Sequence, residues 1–511
     1  MLRVPLFLDD PPPVPLSLMS GVAAANVPPG DAFAAAHPVL APGVGIHLTP
    51  RGAVVLSGGF PVTRVNGAAA EVLAAVSGAA TVGDVAQGLA RRHGDRPERA
   101  AALLSGFLAT ATGRGVVRFA AEPQAQAQPQ AQAQSQAQPR TRPHKARVSG
   151  ATDRFVPYSV SIELTRACTL RCRHCYAGGG TAAEGELTTD EWRSVVDGLA
   201  GGAAGLFFTG GEPLLRPDAR EIVEHAAAAG LSVGVLTSGA RVDAAAAAWL
   251  RASGVDPVQF SLDGPDAATH DEARGAPGSF QVATGAMRLL VEAGVRVQAG
   301  MTVSTATVGA LPATAALAKR LGARSLRVGR LLRRGRARAA NLDFTLPDYE
   351  RLVARLDEAA ALTRGDGFAV AFEGTRDWLV TFPGGATLGR YMEFRDRFAR
   401  AAGGNCGAGW LAAFISATGE VRPCPVTEVA LGTARTGADL DAVMGAERAL
   451  AYGDIVAPGA RMCGGCPSLF RCVACNSEAF EYGRETAACR WAAQVLRGGV
   501  RPGDYWRPGA G

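Results

Sequence analysis

The sequence predicts an α/β protein whose main part is a partial barrel of six β–α units, a (β/α)6 arrangement of the TIM-barrel type. Strand-like and helix-like segments alternate between residue 159 and about residue 335. The strand-like segments are SVSIEL, GLFFTG, LSVGVLTSG, PVQFSLDG, VRVQAGMTV and SLRVGRLL. Strands joined in series by helices form parallel sheets, and such barrels carry their active sites on the loops after the strands. Polar and cysteine residues after these strands are therefore candidate site residues.

The composition sets the general class. A chain of 511 residues is too long for one simple core and predicts two to four domains. The net charge of +6 is mild for this length, so no nucleic-acid partner is expected. No long apolar run is present, and the first segment, MLRVPLFLDDPPPVP, lacks signal-peptide features, so we expect a cytoplasmic protein without a membrane partner. In a reducing compartment, ten cysteines indicate metal ligands more than disulfides.

A small domain is predicted before the barrel, at residues 44–121. The alternating segments GIHLTPRGAVVLSGG and PVTRVN predict strands, and NGAAAEVLAAVSG predicts a helix that ends at Gly78. Thr81 and Asp84 form a capping-box pattern for a second helix, and Pro97 lies near the start of a third. VVRFAAE follows as a strand, which gives the element order of a winged-helix-like domain.

The remaining boundaries follow from composition. Residues 1–43 are rich in proline and alanine, and we expect a mobile extension there. Residues 122–150 include EPQAQAQPQAQAQSQAQPRTRP, which has little to bury and predicts a flexible linker. The later segments are the barrel at 151–340, a helical connection at 341–399, a loop-rich cysteine domain at 400–495 and a tail at 496–511.

Three cysteines follow the first barrel strand in the stretch CTLRCRHC. They are Cys168, Cys172 and Cys175, with the spacing C-x3-C-x2-C. Three thiolates can hold three irons of a four-iron cluster and leave the fourth iron with an open coordination position. Zinc with His174 as a fourth ligand is the alternative.

Small and polar residues follow the next three strands. Gly210 and Gly211 let a ligand approach the backbone, and the Glu212 carboxylate can accept a hydrogen bond from an ammonium group. The further candidates are Thr237 and Ser238 after the third strand, and Ser261 and Asp263 after the fourth. Asp263 has a second interpretation as the cap of the following turn or helix.

On these motifs the sequence resembles the radical S-adenosylmethionine (radical SAM) enzymes. Their signature is C-x3-C-x2-C after the first strand of a partial barrel, and His174 stands where many members have an aromatic ring. The resemblance implies a [4Fe-4S] cluster whose unique iron chelates S-adenosylmethionine (SAM), which is then cleaved to methionine and a 5′-deoxyadenosyl radical. It also implies that the loop of Gly210, Gly211 and Glu212 holds the methionine amino group. The hydroxyls and Asp263 would help to hold the ribose or carboxylate. Arg274, in HDEARG, resembles a family element without an assigned contact.

Seven cysteines beyond residue 400 form a second pattern. It reads Cys406-x12-Gly419-x4-Cys424, then Cys463-x2-Cys466-x5-Cys472-x2-Cys475, and finally Cys489. The pattern resembles the SPASM extension of peptide-maturing radical SAM enzymes, which binds up to two auxiliary iron–sulfur clusters; the usual spacing before the fourth central cysteine is x3. By position, the resemblance implies one cluster on Cys463, Cys466, Cys472 and Cys489, and another on Cys406, Cys424 and Cys475. A nearby side chain, water or the substrate would complete the second, and zinc is the alternative metal.

The small domain resembles the PqqD-like domain that recognises precursor peptides. The matching stretch is PVTRVNGAAAEVLAAVSGAATVGDVAQGLARRHG. Such domains bind a leader peptide as an added strand on a sheet edge. DNA binding is the alternative for a winged-helix shape, but Asp84 and Asp95 flank Arg91 and Arg92, so the second helix has no clean basic face.

Together these resemblances imply a maturase that installs a carbon–carbon or thioether cross-link, or a related oxidative modification, in a ribosomally made precursor peptide. An electron donor such as flavodoxin or ferredoxin is the second expected partner. The alternatives are a radical SAM enzyme of cofactor synthesis or protein maturation, and a non-catalytic peptide-binding metalloprotein. Arginines crowd the last barrel strand and either hold an acidic substrate segment or form a solvated basic face: Arg324, Arg327, Arg330, Arg333, Arg334, Arg336 and Arg338.

Overall fold

The computed structural model divides the chain into two compact units with a boundary between Phe155 and Val156. It describes residues 28, 31–57, 60–120, 122, 148–340, 342, 344–372, 389, 392–393, 395–396, 399, 404–485 and 489–497. Most of the predicted linker lies outside these residues. In the described part of the chain, no helix is both long and apolar enough to cross a membrane.

The first unit contains a small antiparallel sheet extended by one parallel strand. The strands are β1 (His37–Leu40), β2 (Val44–Thr49), β3 (Gly52–Ser57), β4 (Phe60–Val65), β5 (Val117–Ala120) and β6 (Val148–Gly150). Strands β2, β3 and β4 form an antiparallel meander, and β6 pairs with β2 in parallel, so the sheet order is β4-β3-β2-β6. Strands β1 and β5 form a separate antiparallel pair.

Helices pack against these strands in the predicted order. They are α1 (Asp31–Ala35), α2 (Gly67–Ala75), α3 (Val82–His93) and α4 (Pro97–Gly113). Thr81 and Asp84 form the predicted capping box, in which the Thr81 hydroxyl accepts the Asp84 N–H and the Asp84 carboxylate accepts the Thr81 N–H. Leu73, Leu104 and Phe107 contribute to one apolar core.

Three boundaries of the first unit differ from the predictions. The expected mobile extension, residues 1–43, contains α1 and β1, in which Val39 and Leu40 are almost fully buried. Strand β1 is only four residues long, HPVL, and shows no apolar alternation that would have predicted it. Helix α2 ends at Ala75, three residues before Gly78. The last three residues of the predicted linker form β6, which pairs in parallel with β2, and the Ser149 hydroxyl lies 3.1 Å from the ring of the buried His47.

The second unit is built on the six predicted parallel strands. They are β7 (Ser159–Thr165), β8 (Gly205–Gly210), β9 (Ser232–Thr237), β10 (Val258–Ser261), β11 (Val297–Val303) and β12 (Ser325–Arg330), which pair in sequence order. The connecting helices are α5 (Thr189–Leu199), α6 (Ala219–Ala228), α7 (Ala244–Ala252), α8 (Ala267–Arg274), α9 (Ser279–Glu292) and α10 (Leu311–Arg320). Residues before several of these helices cap them, as Thr188 does for α5 and Asp243 for α7.

Two segments extend this sheet at its edges. Helix α11 (Arg336–Ala339) ends the predicted barrel segment. The predicted helical connection contains helix α12 (Leu346–Leu362), but also strand β13 (Ala369–Phe372), which pairs in parallel with β12. At the other edge, β14 (Ala412–Ile415) pairs in parallel with β7, and β15 (Glu420–Arg422) and β16 (Gly432–Thr433) follow it in antiparallel. Short helices complete the cysteine-rich part: α13 (Gly437–Gly445), α14 (Glu447–Gly453), α15 (Ala460–Cys463), α16 (Leu469–Cys472), α17 (Asn476–Glu485) and α18 (Arg490–Arg497).

Candidate active site

A cavity of about 450 Å³ opens among the loops after the barrel strands. The three cysteines of the CTLRCRHC stretch line it together, as their position after β7 predicts. Five of the other predicted residues line it as well: Gly210, Gly211, Thr237, Ser238 and Ser261. All ten cysteines lie among the residues that the structure describes, and none of them forms a disulfide. The structure thus brings together the loops that carry the first sequence motif and its neighbours.

The cysteine loop is held by hydrogen bonds to its backbone. The Cys168 N–H donates to the Gly180 carbonyl at 2.8 Å. The Arg336 guanidinium donates to the carbonyls of Cys172 (3.0 Å) and Gly179 (2.8 Å). Burial raises the pKa of the Cys172 thiol, and the nearby charge of Arg274 opposes that rise. The positive charges next to the loop carbonyls and the buried Cys172 thiol therefore come from two arginines that are distant in sequence, Arg336 and Arg274.

The glycines after β8 allow this loop to approach the cysteine loop closely. A side chain at Gly211 would place its Cβ 2.2 Å from the Ala167 carbonyl oxygen, and Gly210 has a φ of +139°. Only glycine fits both conditions without a clash or backbone strain. The Gly211 N–H donates to the Thr165 carbonyl at 2.8 Å, which joins the two loops.

The Glu212 carboxylate points at the β9 loop and does not line the cavity. It accepts hydrogen bonds from the Thr237 hydroxyl (2.7 Å), the Ser238 hydroxyl (2.6 Å) and the Ser238 N–H (2.7 Å). The Glu212 side chain is fully buried. Glu212 therefore positions Thr237 and Ser238, which line the cavity. This geometry does not favour a direct contact between the Glu212 carboxylate and a ligand.

Asp263 is likewise buried behind the cavity. Its carboxylate lies 2.7 Å from the Arg274 guanidinium and 3.3 Å from the His174 ring, and it accepts the Thr302 N–H at 2.8 Å. The alternative role as a helix cap belongs to Asp266, whose carboxylate accepts the Thr269 N–H at the start of α8. Asp263 instead organises Arg274 and His174 next to the cysteine loop.

Several residues of the site were not predicted. The His270 ring accepts the Asp263 N–H at its Nδ1 (3.2 Å), although the sequence assigned this histidine no role. Tyr176 lines the cavity, and burial raises the pKa of its hydroxyl, with Glu163, Cys175 and Cys424 adding to the rise. The alternation of β10 could have indicated Gln259 as an inward-facing polar residue, because Gln259 and Ser261 lie two positions apart.

The arginines near β12 divide between the two predicted roles. Arg327 and Arg330 line the cavity; Arg327 donates to the Gln259 amide oxygen at 3.0 Å, and Arg330 donates to the Tyr349 hydroxyl at 3.0 Å. Arg324 is exposed to solvent. The arrangement therefore has basic residues both inside the barrel and on its surface.

Four of the C-terminal cysteines surround one narrow space of about 20 Å³. They are Cys463, Cys466, Cys472 and Cys489, the set that the resemblance assigns to one auxiliary cluster. Leu469 and Trp491 complete the apolar walls of this space. Burial, and then the charges of Cys489 and Cys466, raise the pKa of the Cys463 thiol.

The other three cysteines also come together. Burial and the charges of Cys406 and Cys475 raise the pKa of the Cys424 thiol to about 12. Burial, Glu478 and Cys406 raise the pKa of Cys475 to about 12. The fully buried Tyr452 hydroxyl faces the same three thiols, which raise its pKa together with burial. Cys424 in addition lines the large cavity, so this set borders the space next to the CTLRCRHC loop.

A single metal ion requires a compact group of ligands. In the described part of the chain, no three His, Cys, Asp or Glu side chains are placed to hold one metal ion. Zinc needs its ligands about 2.0–2.3 Å from a single point, whereas a four-iron cluster spaces its thiolates more widely. The His174 ring faces Asp263, which also disfavours the zinc alternative for the first set.

Comparison with known proteins agrees with this geometry. Residues 162–311 match the Radical SAM superfamily. The AdoMet-dependent heme synthase of Methanosarcina barkeri is 38% identical over 199 residues, 39% of this chain and 57% of that protein. The mycofactocin maturase MftC of Mycobacterium ulcerans is 35% identical over 278 residues, 53% of this chain and 68% of that protein.

A third relative is the sporulation killing factor maturation protein SkfB of Bacillus subtilis, 30% identical over 286 residues, 56% of this chain and 64% of that protein. The chain therefore spans less than two thirds of the heme synthase and of SkfB. Among solved structures, Streptococcus suis SuiB bound to SAM has a TM-score of 0.57 at 13% identity and covers 87% of this chain and 96% of SuiB. SuiB bound to the precursor peptide SuiA gives 0.57 at 12%, with 89% and 98% covered. These structural matches indicate a shared fold.

Proposed function

The chain belongs to the radical SAM superfamily, and from that premise we propose that it matures a ribosomally made precursor peptide by an oxidative, carbon-centred modification such as a cross-link. One observation carries the proposal. A single cavity is lined both by the cysteine loop of the radical SAM motif and by Cys424 of the three-cysteine C-terminal set. A substrate in that cavity would lie between the place where a radical is generated and a place that can take up an electron.

Cys168, Cys172 and Cys175 would hold a [4Fe-4S] cluster with one open iron position for SAM. When bound, the cluster supplies the electron that cleaves SAM to methionine and a 5′-deoxyadenosyl radical. The loop of Gly210 and Gly211 lines the cavity and would accept the methionine end of SAM against its backbone. The hydroxyls of Thr237 and Ser238, fixed by Glu212, and that of Ser261 would orient the ribose or carboxylate.

The barrel interior offers room for a peptide side chain. Small residues face the cavity from strands β7, β11, β13 and β14: Ser159, Ser161, Gly300, Ala371 and Ala412. They leave a space that the strands themselves shield, which protects a reactive carbon from side reactions. Forming a new bond within the peptide removes two hydrogens: one leaves as an atom to the deoxyadenosyl radical, and the other as a proton and an electron. The Cys406, Cys424 and Cys475 set borders the cavity and would take that electron onto an auxiliary cluster.

The first unit would bind the leader of the precursor peptide, as a PqqD-like domain does. Its sheet has the order β4-β3-β2-β6, so the chain's own strand β6 already covers β2. Among the described strands, β4 pairs with β3 alone, which leaves its other edge for an added strand. The names of MftC and SkfB as maturation proteins, and the SuiB structure with its precursor peptide, support a peptide substrate for the chain as a whole.

Cofactor synthesis is the alternative that one observation favours, namely the identity to a heme synthase. That match covers a smaller part of this chain than the matches to MftC and SkfB do. We therefore favour a peptide substrate. The proposal also includes a cytoplasmic location for the protein and an electron carrier, such as flavodoxin or ferredoxin, as its reductant.

The test is anaerobic reconstitution of the full chain with iron and sulfide, followed by reaction with SAM, a reductant and the short peptide encoded beside the gene. We expect 5′-deoxyadenosine and a peptide that has lost two hydrogen atoms, detected by mass spectrometry. Deoxyadenosine formation without a change in any encoded peptide would favour the cofactor-synthesis alternative. Absence of deoxyadenosine from a chain that binds its iron would favour the non-catalytic metalloprotein.

A further inference from the structure

The two C-terminal cysteine sets meet at a short turn before helix α17. Cys472 belongs to the four-cysteine set and Cys475 to the three-cysteine set. The Cys475 N–H donates to the Cys472 carbonyl at 3.0 Å, and the Cys475 carbonyl accepts the Ala479 N–H at 3.0 Å, which begins the helix. A charge placed at this turn therefore acts on one ligand of each proposed auxiliary cluster.

Glu478 is the carboxylate at this turn. Its N–H donates to the Cys475 sulfur at 3.5 Å, and its carbonyl oxygen lies 4.0 Å from the Cys472 sulfur, which donates to it. The Glu478 residue is 7% exposed. Burial, and then the charge of Glu478, raise the pKa of both thiols. Glu478 thus influences a ligand of each set from one position.

Arg330 supplies an opposing charge from the side of the reaction cavity. It ends strand β12 and lines the cavity, and its guanidinium lies 3.7 Å from the Glu478 carboxylate. It also donates to the Tyr349 hydroxyl and to the Arg471 carbonyl, each at 3.0 Å, which hold the guanidinium in place. Arg395 adds a further positive charge beside the three-cysteine set. The buried pair of Glu478 and Arg330 therefore connects the cavity to the turn between the two sets.

We propose that Glu478 sets the reduction potentials of both auxiliary clusters together, with Arg330 as the opposing charge on the cavity side. The inference rests on the part of the proposed function that places a cluster on each of the two cysteine sets. Reduction adds one negative charge to a cluster, so a neighbouring carboxylate disfavours the reduced state and a neighbouring guanidinium favours it. A carboxylate between two clusters shifts both potentials in the same direction.

The test is a redox titration of the reconstituted full chain, without SAM or peptide, followed by electron paramagnetic resonance. The cluster on Cys168, Cys172 and Cys175 serves as an internal reference, because the charges that act on Cys168 and Cys172 come from residues other than Glu478. Its signal is identified by its absence from a full chain in which these three cysteines are replaced by alanine. Iron analysis of each protein shows which clusters are present.

The main variant is Glu478→Gln, which keeps the shape of the side chain and removes its charge. Glu478→Asp keeps the charge and is the conservative variant. Glu481→Gln is the matched control, because Glu481 lies one turn further along α17 and accepts a hydrogen bond from Arg338 at 3.1 Å. Arg330→Gln removes the opposing charge and tests the other half of the pair.

We expect Glu478→Gln to raise the equilibrium constant for one-electron reduction of both auxiliary clusters about tenfold, an upward shift of about 59 mV in each potential. Glu478→Asp and Glu481→Gln keep the wild-type potentials. Arg330→Gln shifts both potentials downward, and the chain with both glutamine substitutions returns close to the wild-type values. The reference cluster does not move in any of these variants. General damage to the fold does not produce shifts of opposite sign.

Unchanged auxiliary potentials in Glu478→Gln at full iron content would overturn the inference. A shift of one auxiliary cluster alone, an equal shift of the reference cluster, or a wild-type protein without auxiliary cluster signals would do the same. If Glu478→Gln loses iron, Arg330→Gln decides, and potentials that do not fall in it contradict the proposal. A chain that shows the expected shifts but modifies no encoded peptide keeps this inference and loses the peptide substrate.

Discussion

The Arg274 guanidinium lies 2.7 Å from the Asp263 carboxylate and 3.6 Å from the Cys172 sulfur. This pair joins helix α8, the loop after β10 and the cysteine loop. Burial acts to raise the pKa of Asp263, but the charges of Arg274 and His174 and the Thr302 hydrogen bond hold that pKa below its ordinary value. Asp263 is thus an anion that balances a buried cation beside the first cysteine set.

The first prediction concerns this ion pair. Asp263→Asn leaves the buried Arg274 charge without its carboxylate, and removing one partner of a buried pair typically costs about 3–5 kcal/mol. We expect a loss of that size in the free energy of unfolding, measured by urea unfolding of the full chain with tryptophan fluorescence. Glu272→Gln is the control, because the pair of Glu272 and Arg173 is mostly exposed and contributes less than about 1 kcal/mol. Similar small losses in both variants would show that Arg274 finds another partner.

The second prediction separates the two C-terminal cysteine sets. Replacing Cys406, Cys424 and Cys475 by serine is expected to remove about four iron atoms per chain, the content of one [4Fe-4S] cluster. Replacing the four cysteines of the other set removes a similar number. The sets face different spaces, so each variant retains the iron of the other set. Iron analysis and electron paramagnetic resonance of the reduced proteins provide the measurement.

The activity of the same variants gives a further check. Without the Cys406 set, the protein is expected to form deoxyadenosine but no cross-linked peptide, because the second electron has no acceptor beside the cavity. Loss of all iron in either variant would mean that the sets fold as one unit, and it would remove the basis for separate roles.

The third prediction concerns the close approach of two loops. Gly211→Ala would place a methyl group 2.2 Å from the Ala167 carbonyl oxygen, so the β8 loop must move away from the cysteine loop. We expect SAM binding, measured by isothermal titration calorimetry of the reconstituted protein, to weaken at least tenfold. Gly285→Ala is the matched control, because its Cβ meets nothing within 4 Å and lies inside helix α9. That control is expected to gain up to about 1 kcal/mol of stability and to bind SAM normally.

The sequence predicted the parts of the site that depend on local order. Apolar alternation and turn residues predicted the six barrel strands. The prediction of the first of them, β7, also placed the three cysteines in the loop after it. Strand β13 was missed because AVAF is only four residues long within a stretch of helical character. This segment is a strand because it pairs with β12, and no local sequence pattern predicts that pairing.

Contacts between distant segments were the least predictable features. The pairing of β14 with β7 joins residues about 250 positions apart, so no local sequence pattern near either strand predicts it. The motif of Arg274 was noted, but its contact depends on how α8 packs behind Asp263. Likewise a cap was one of two interpretations of Asp263, and only the tertiary structure shows that Asp266 has that role. The grouping of the C-terminal cysteines came from resemblance, since spacing alone allows many pairings.

The fourth prediction uses the buried His270. Burial, and then the charge of Arg274, lower the pKa of His270 to about 4 from an ordinary value of 6.5, against the opposing effect of Asp263. At a pH between these values, the unfolded chain binds a proton at His270 that the folded chain does not bind. The free energy of unfolding therefore decreases as the pH falls from about 6.5 toward 4, and His270 accounts for about 2 kcal/mol of the decrease between about pH 7 and pH 5.

His270→Asn tests this linkage because the asparagine oxygen can still accept the Asp263 N–H that the His270 ring accepts at 3.2 Å, but it does not titrate. Urea unfolding at several pH values should show a shallower loss of stability in this variant than in the wild type. His225→Asn, on helix α6, should keep the wild-type pH dependence, since that ring is less buried and hydrogen-bonds Asp197. A wild-type slope that survives in His270→Asn would place the responsible proton on another group. The neutral ring beside Asp263 and Arg274 would then have no part in the acid sensitivity of the site.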